Sequence, residues 1–291
     1  MTNQLRPMLA VQVEDATKLK YPLYASPKID GLRALVKDGR FVSRTIKLLP
    51  NNDLQDKCYL ERLPEGLDGE LVLGDPTNPK VFNITQSSLM SFAGSIEGLT
   101  YIVFDLWNHA DRPYAARHAT INQTELPSWC VKLEQRIIKT SDELDAFEEY
   151  CLGLGYEGVM VRKIDAPYKY GRSTLREGYL LKVKRFADAE ATIIGYTQQL
   201  ENHNPKELDE RGYSKRSSHI EGQILKEALG SFLVVKDGVE FGIGSGFTAA
   251  EREEFWLNRE NLVGKQVRFK YLPHGQKIAP RHPIYLGLRF D

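Results

Sequence analysis

Six residues near the start of the chain, Lys28-Ile29-Asp30-Gly31-Leu32-Arg33, form its sharpest local signal. Lys-x-Asp-Gly arises by chance on the order of 0.1 times in a chain of this length, and a trailing Arg makes it about twentyfold rarer. Taken alone, the segment also reads as a turn with a structural Asp-Gly and a solvated lysine. Glu70 and Glu157 fall on separate predicted strands. Two carboxylates that converge on one cleft can bind a ribose hydroxyl and hold Mg2+ through its waters, whereas a lone strand Glu is ordinarily an exposed ion-pair partner. Phe104 alternates with Val103 on an apolar run and reads by itself as core. Arg33, Arg44 and Arg172 carry planar guanidinium groups, which bind phosphate bidentately where lysine acts as a point charge.

These side chains need strands and turns to carry them. Residues 32–36 and 41–44 flank Asp38-Gly39, a hairpin signal. Residues 70–73 and 101–104 predict further strands. Ser141 is the expected cap of a helix with Asp142 and Glu143 in its first turn, an apolar face of Leu144, Phe147 and Cys151, and Gly153 as its stop. Strands are expected again at 158–162 and 180–184. Beyond Phe186 come a strand at 192–196, a polar stretch from 198 to about 227, and a second hairpin turning at Asp237-Gly238. A helix opened by a Thr248/Glu251 capping box follows, then strands at 266–271 and 283–288. Strands with one helix in the last ~100 residues suit a small barrel such as an OB-fold. The boundary is expected near residue 187, dividing the chain into 1–187 and 188–291.

Composition narrows the class. The chain has 291 residues, 42% hydrophobic and 27% charged, which excludes disordered and fibrous proteins and suggests two domains. No apolar run approaches the ~20 residues of a membrane span, and the N-terminus shows no signal-peptide core. Three scattered cysteines offer no disulfide framework and no metal spacing, so a reducing, cytoplasmic setting is expected. Basic and acidic residues balance at 39 each. Locally they do not: residues 134–157 are strongly acidic and 162–185 strongly basic. The basic block reads as a solvated face, or as a phosphate-tracking groove interleaved with Tyr168, Tyr170 and Tyr179. The six histidines show no zinc pairing, which leaves magnesium or manganese as the metal. Gly242-Ile243-Gly244-Ser245-Gly246 has neither dinucleotide nor P-loop spacing and reads as a tight connection.

The segment from Lys28 to Arg33 resembles the first motif of the covalent nucleotidyltransferases: ATP-dependent DNA ligases, RNA ligases and mRNA capping enzymes. Further motifs follow in order. They are Ser43-Arg44-Thr45, Asp68-Gly69-Glu70-Leu71, Phe104-Asp105, Glu157-Gly158-Val159-Met160-Val161-Arg162 and Leu181-Lys182-Val183-Lys184, then Arg281-His282-Pro283 and Arg289-Phe290-Asp291. The similarity runs over nearly the whole chain and is nearest to the minimal viral ATP-dependent DNA ligases. It implies an α+β fold: a nucleotidyltransferase (adenylation) domain of antiparallel sheets with flanking helices, followed by a C-terminal OB-fold β-barrel. It implies nick sealing through lysyl-AMP and DNA-adenylate, with capping guanylyltransferase and RNA ligase as the alternatives.

The resemblance also assigns roles. Lys28 is the nucleophile; it attacks only as a neutral amine, although a free lysine titrates near 10.4, so Lys182, Lys184 and bound Mg2+ are expected to favour the neutral form. ATP or AMP is expected to meet Ile29, Arg33, Glu70 at the ribose, Phe104 on adenine, Lys182 and Lys184. Arg281 and Arg289 would orient the outer phosphates. Glu157, with Glu70, is assigned to the metal. Ser43, Arg44 and Arg172 would face the 5′-phosphate of DNA, Arg33 would lie between AMP and the 3′-hydroxyl strand, and Arg176 would touch the DNA backbone. Lys215 and Arg216 would tip an insertion near 198–227 that embraces the duplex and is mobile without it. ATP and Mg2+ (Mn2+ as a substitute) are the expected cofactors and nicked duplex DNA the partner. A monomer without membrane attachment or obligate protein partner is expected, in the cytoplasm, or in the host cytoplasm or nucleus for a viral chain.

Overall fold

The Asp-Gly hairpin forms as expected: Leu32–Lys37 pairs antiparallel with Arg40–Ser43. Asp38 and Gly39 turn it with φ of 52° and 68°, the left-handed pair whose twist matches the flanking strands. The computed structural model describes residues 4–184, 186–273 and 278–289. Phe290 and Asp291 of the terminal motif lie outside the described residues. The chain divides into two units, 1–184 with 210–212, and 185–209 with 213–291. No described helix is long and apolar enough to cross a membrane.

The first unit holds two five-stranded sheets. One orders Arg40–Ser43, Leu32–Lys37, Leu67–Leu73, Leu99–Leu106 and Cys130–Lys132; the other orders Val11–Val13, Leu181–Val183, Val159–Lys163, Leu23–Pro27 and Arg136–Ile138. Neither is wholly antiparallel, because Cys130–Lys132 and Val11–Val13 each join in parallel. The first sheet buries Phe41, Leu71, Tyr101 and Val103 against Leu54 and Cys58 of the helix Asn52–Leu60. The second buries Leu23, Ala25, Val159 and Val161 against Leu144, Phe147 and Cys151 of the helix Ser141–Gly153. Each such large apolar side chain contributes about 1.5–3 kcal/mol when fully buried. The expected Ser141 cap is corrected: Thr140 holds the extended backbone a cap requires, and its hydroxyl accepts from the Glu143 N–H at 3.2 Å.

In the second unit one antiparallel sheet orders Val239–Ile243, Gln223–Lys236, Ala187–Asn202, Gln266–Leu272 and Arg281–Leu288. Its core is Ile193, Leu229, Phe232, Val234, Val267 and Phe269. The Thr248/Glu251 capping box opens the helix Ala249–Leu257 as expected. The edges of this sheet meet through an isolated bridge, Ser245 to Ile284. Pro283 beside that bridge has no N–H to extend a ladder, and its carbonyl accepts from the Ser245 hydroxyl instead, at 3.0 Å.

The polar stretch forms a paired ribbon: the sheet strands continue in register from Gln199 opposite Lys226 to Asn202 opposite Gln223. Beyond them Lys206–Leu208 pairs with Ser214–Arg216. The buried Asn204 amide ties the base of this ribbon, donating to Asn202 Oδ1 at 2.9 Å, to the Ser217 carbonyl at 3.0 Å and to the His219 carbonyl at 2.9 Å. Order here comes from backbone ladders and one amide, which apolar periodicity cannot register.

Candidate active site

Lys28 stands where the chain leaves the Leu23–Pro27 strand of one sheet for the Leu32–Lys37 strand of the other. Its backbone N–H donates to the Gly158 carbonyl at 2.8 Å, which fixes the crossing to the second sheet. Two glycines make the crossing possible. A Cβ on Gly31 would lie 2.4 Å from the Leu71 carbonyl oxygen, and one on Gly158, at φ 148°, would lie 2.3 Å from that of Val183. Glycines of two separate motifs thus each allow a close backbone approach on one side of Lys28.

A cleft of about 490 Å3 opens beside this crossing, a size suited to a small-molecule ligand. Lys28, Ile29, Arg33, Arg44, Glu70, Phe104, Arg172 and Lys182 line it, together with Ser26, Thr45, Leu133, Met160 and Arg162. Eight of the sequence-predicted residues thus converge. Glu157 and Lys184 stand behind Lys28 rather than on the wall. One Glu157 oxygen hydrogen-bonds the Lys184 ammonium; the other ion-pairs with that of Lys28. The Glu157 side chain is 2% exposed and pairs with both the Lys28 and the Lys184 ammonium. Ser43 shapes the turn that carries Arg44, its hydroxyl meeting that of Thr45 at 2.9 Å. Arg176 is exposed and off the cleft wall. In the second unit, Lys215 and Arg216 lie exposed on the ribbon, with Arg216 donating to the Asn204 carbonyl. Arg281 starts the last strand, and Arg289 pairs with Glu190 at 2.6 Å.

The two carboxyl groups near Lys28 are driven in opposite directions. Burial would raise Glu157, but the ammonium groups of Lys28 and Lys184 outweigh it and hold the carboxyl at about 2. For Glu70 burial prevails over Lys28 and Arg33, and the carboxyl is pushed up to about 7. Burial, reinforced by the Lys28 charge, lowers both Lys182 and Lys184. Among the described residues no group of three His, Cys, Asp or Glu side chains could cage a metal. Two carboxyls near one cleft instead fit magnesium, which is commonly held by one or two carboxylates with phosphate oxygens and waters.

Buried charged residues that sequence reasoning did not assign back the cleft wall. Asp68 accepts from Arg33, and Asp105 accepts from Arg117 Nε at 2.7 Å and from Arg162. The Arg33 and Arg162 guanidinium carbons lie 5.6 and 5.4 Å from the Phe104 ring centroid, within cation–π range. Both aspartates belong to motifs visible in the sequence, but their arginine partners are remote in the chain. The basic block is neither a uniform face nor a continuous groove. Arg162 is buried on Asp105, Lys169 pairs with Glu177 at 2.7 Å, and Lys163 pairs with Asp165 at 3.2 Å.

Comparison with known proteins agrees with this arrangement. An ATP dependent DNA ligase domain model matches residues 7–184, and a DNA ligase OB-like domain model matches 222–289. The crystal structure of Chlorella virus DNA ligase-adenylate is 34% identical over 98% of this chain and 99% of that one, with a TM-score of 0.55. A Lig E DNA ligase at 24% identity shares the fold, with a TM-score of 0.73 over 97% of this chain and 98% of its own. The DNA ligase of Thermococcus fumicolans is 27% identical, over 99% of this chain and 56% of its own length. A probable DNA ligase of Streptomyces griseus is 31% identical, over 65% of this chain and 42% of its own. The chain spans about half the length of these curated relatives. With a ligase-domain match through the first unit and a 34% identical relative aligned nearly end to end, the chain belongs to the ATP-dependent DNA ligase family.

Proposed function

We propose that the chain seals nicks between a 5′-phosphate and a 3′-hydroxyl in duplex DNA, as a monomer using ATP. One observation carries the reading: the Lys28 amine faces a cleft whose other cations include Lys182, Arg44 and Arg172, with a buried carboxylate behind it. In the first step Lys28 Nζ attacks the α-phosphorus of ATP; an N–P bond forms, the bond to pyrophosphate breaks, and the lysine gives up a proton. Glu157, held at about 2, is too weak a base to take that proton, so it leaves to the departing pyrophosphate or to water. Glu157 instead steers the Lys28 side chain through their ion pair. Lys182 and Lys184 stabilise charge on the phosphoryl oxygens.

A 5′-phosphate oxygen, bound by Arg44 and Arg172, next attacks the lysyl-AMP phosphorus and frees the amine. The 3′-hydroxyl then attacks the 5′-phosphate, a phosphodiester forms, and AMP leaves. Phe104 stacks the adenine, and Glu70 holds the ribose. Magnesium, or manganese in its place, would be held by Glu70 and Glu157 with phosphate oxygens, and supplies charge neutralisation on the polyphosphate.

Incubation with α-labelled ATP or GTP tests the reading. Covalent label is expected from ATP, none from GTP, and none in Lys28→Ala, which should still seal DNA that is already adenylylated. Label from GTP would point to a capping enzyme, and label retained by Lys28→Ala would remove the assigned nucleophile.

A further inference from the structure

Arg33 is tightly held in the cleft wall. Its Nε donates to Asp68 Oδ1 at 2.9 Å and its Nη2 to Oδ2 at 2.6 Å. Nη1 donates to the Met8 carbonyl at 2.6 Å, and Nη2 also reaches the Tyr168 hydroxyl at 3.3 Å. A guanidinium has five N–H bonds, and among the described residues one of these, on Nη1, meets no acceptor and can serve a ligand.

The Tyr168 hydroxyl is the hub of this arrangement. It donates to Asp68 Oδ2 at 2.6 Å and accepts from the Met8 N–H and from Arg33, each at 3.3 Å. One donor and two acceptor positions are all a hydroxyl has. The residue is 3% exposed, and burial beside Asp68 raises the phenol well above its ordinary range, so it remains a donor. The backbone it grips also carries Arg172. Leu9 N–H donates to the Gly171 carbonyl, Ser173 N–H donates to the Leu9 carbonyl, each at 2.8 Å, and Arg172 Nη1 donates to the Ala10 carbonyl at 2.7 Å. Met8 and Ala10 thus anchor two arginines of one cleft on carbonyls two residues apart.

We propose that Tyr168 is a positioning residue: its hydroxyl, joined to Asp68 and Met8, sets the direction of the one open Arg33 N–H and so serves the sealing of adenylylated DNA. The proposal rests on the ligase reading for that service, and on geometry alone for the positioning.

Two measurements on Tyr168→Phe, which keeps the ring, separate these. Exchange of the Arg33 Nε–H with solvent, assigned by its loss in Arg33→Ala, should quicken about tenfold or more by NMR. Unchanged exchange would overturn the positioning whether or not the chain is a ligase. The second is a single-turnover cycle on a pre-adenylylated nick, with rates scaled to the folded fraction from thermal melts. Tyr168→Phe should slow sealing about tenfold or more, yet change the Arg33→Ala rate less than twofold. Effects that multiply in the double variant would show that Tyr168 acts independently of Arg33 and overturn its role in sealing. A wild-type chain that took no label from ATP would overturn the ligase reading, and the exchange result would still decide the positioning.

Discussion

Replacing Glu70 with Gln should stabilise the protein at pH 8 and have little effect near pH 4.5. The carboxyl titrates near 4.5 when unperturbed and at about 7 in the fold, because burial opposes its charge more than Lys28 and Arg33 favour it. Its folded value is raised, so the folded state holds the proton more tightly. Below 4.5 both states are protonated and nothing is lost. Between 4.5 and 7 the unfolded chain ionises first, and stability falls until the folded carboxyl also ionises. At 1.36 kcal/mol per pH unit the gap corresponds to roughly 3 kcal/mol, an upper figure given that bound water relaxes around such groups. Gln has nearly the same shape and no titration, so it removes that loss. Lys28, Arg33, Asp68 and Asp30 surround the site in both proteins. Urea melts of both proteins at pH 5, 6, 7 and 8 measure it. The Gln variant should gain steadily through the series; a flat difference, or a wild type favoured at pH 8, would refute the argument. The gain should come with weaker ATP binding, read as a raised KM, because an amide cannot replace a carboxylate as a twofold acceptor for ribose hydroxyls.

Arg44→Ala and Arg172→Ala should each slow AMP transfer to DNA more than self-adenylylation, by about 1.5–3 kcal/mol for a charge-assisted contact. Equal losses in both steps, read with labelled ATP and a nicked duplex, would move these arginines to the nucleotide. Replacing residues 203–223 with a short Gly-Ser turn should leave self-adenylylation nearly normal and weaken nick binding, most visibly at higher salt. Unchanged nick affinity across a salt series would reduce the ribbon to an ordinary connection.

The sequence disclosed most where chemistry and structure are both local. Lys28 and Gly31 are three residues apart, and Asp38-Gly39 and Thr248/Glu251 each specify a turn or cap within a few positions. The partners of charged strand residues were far less legible. Glu157 lies 27 positions before Lys184, and Asp105 lies 57 before Arg162, distances over which no periodicity links them. Read singly, each looks like a solvent-facing charge. The pairing within the polar ribbon between Asn202 and Gln223 was illegible for a related reason, since Asn204 and the strand ladders satisfy its polar groups without apolar burial.

Both gaps come from treating a polar side chain as one that must end in water. In this cleft the charges answer one another. Burying them costs desolvation, and ion pairs in such places are often no more stabilising than apolar replacements. Their use must therefore lie in what they hold still. A cleft that receives a polyphosphate needs fixed positive charge before the ligand arrives, because preorganised cations need not rearrange as charge develops. Asp68 and Asp105, each nearly sealed from solvent, fix Arg33 and Arg162 from behind. Glu157 holds Lys28 by one carboxylate oxygen, where Asp68 holds Arg33 by two, as suits a side chain that must move. The arginines are locked, and the nucleophile is only steered.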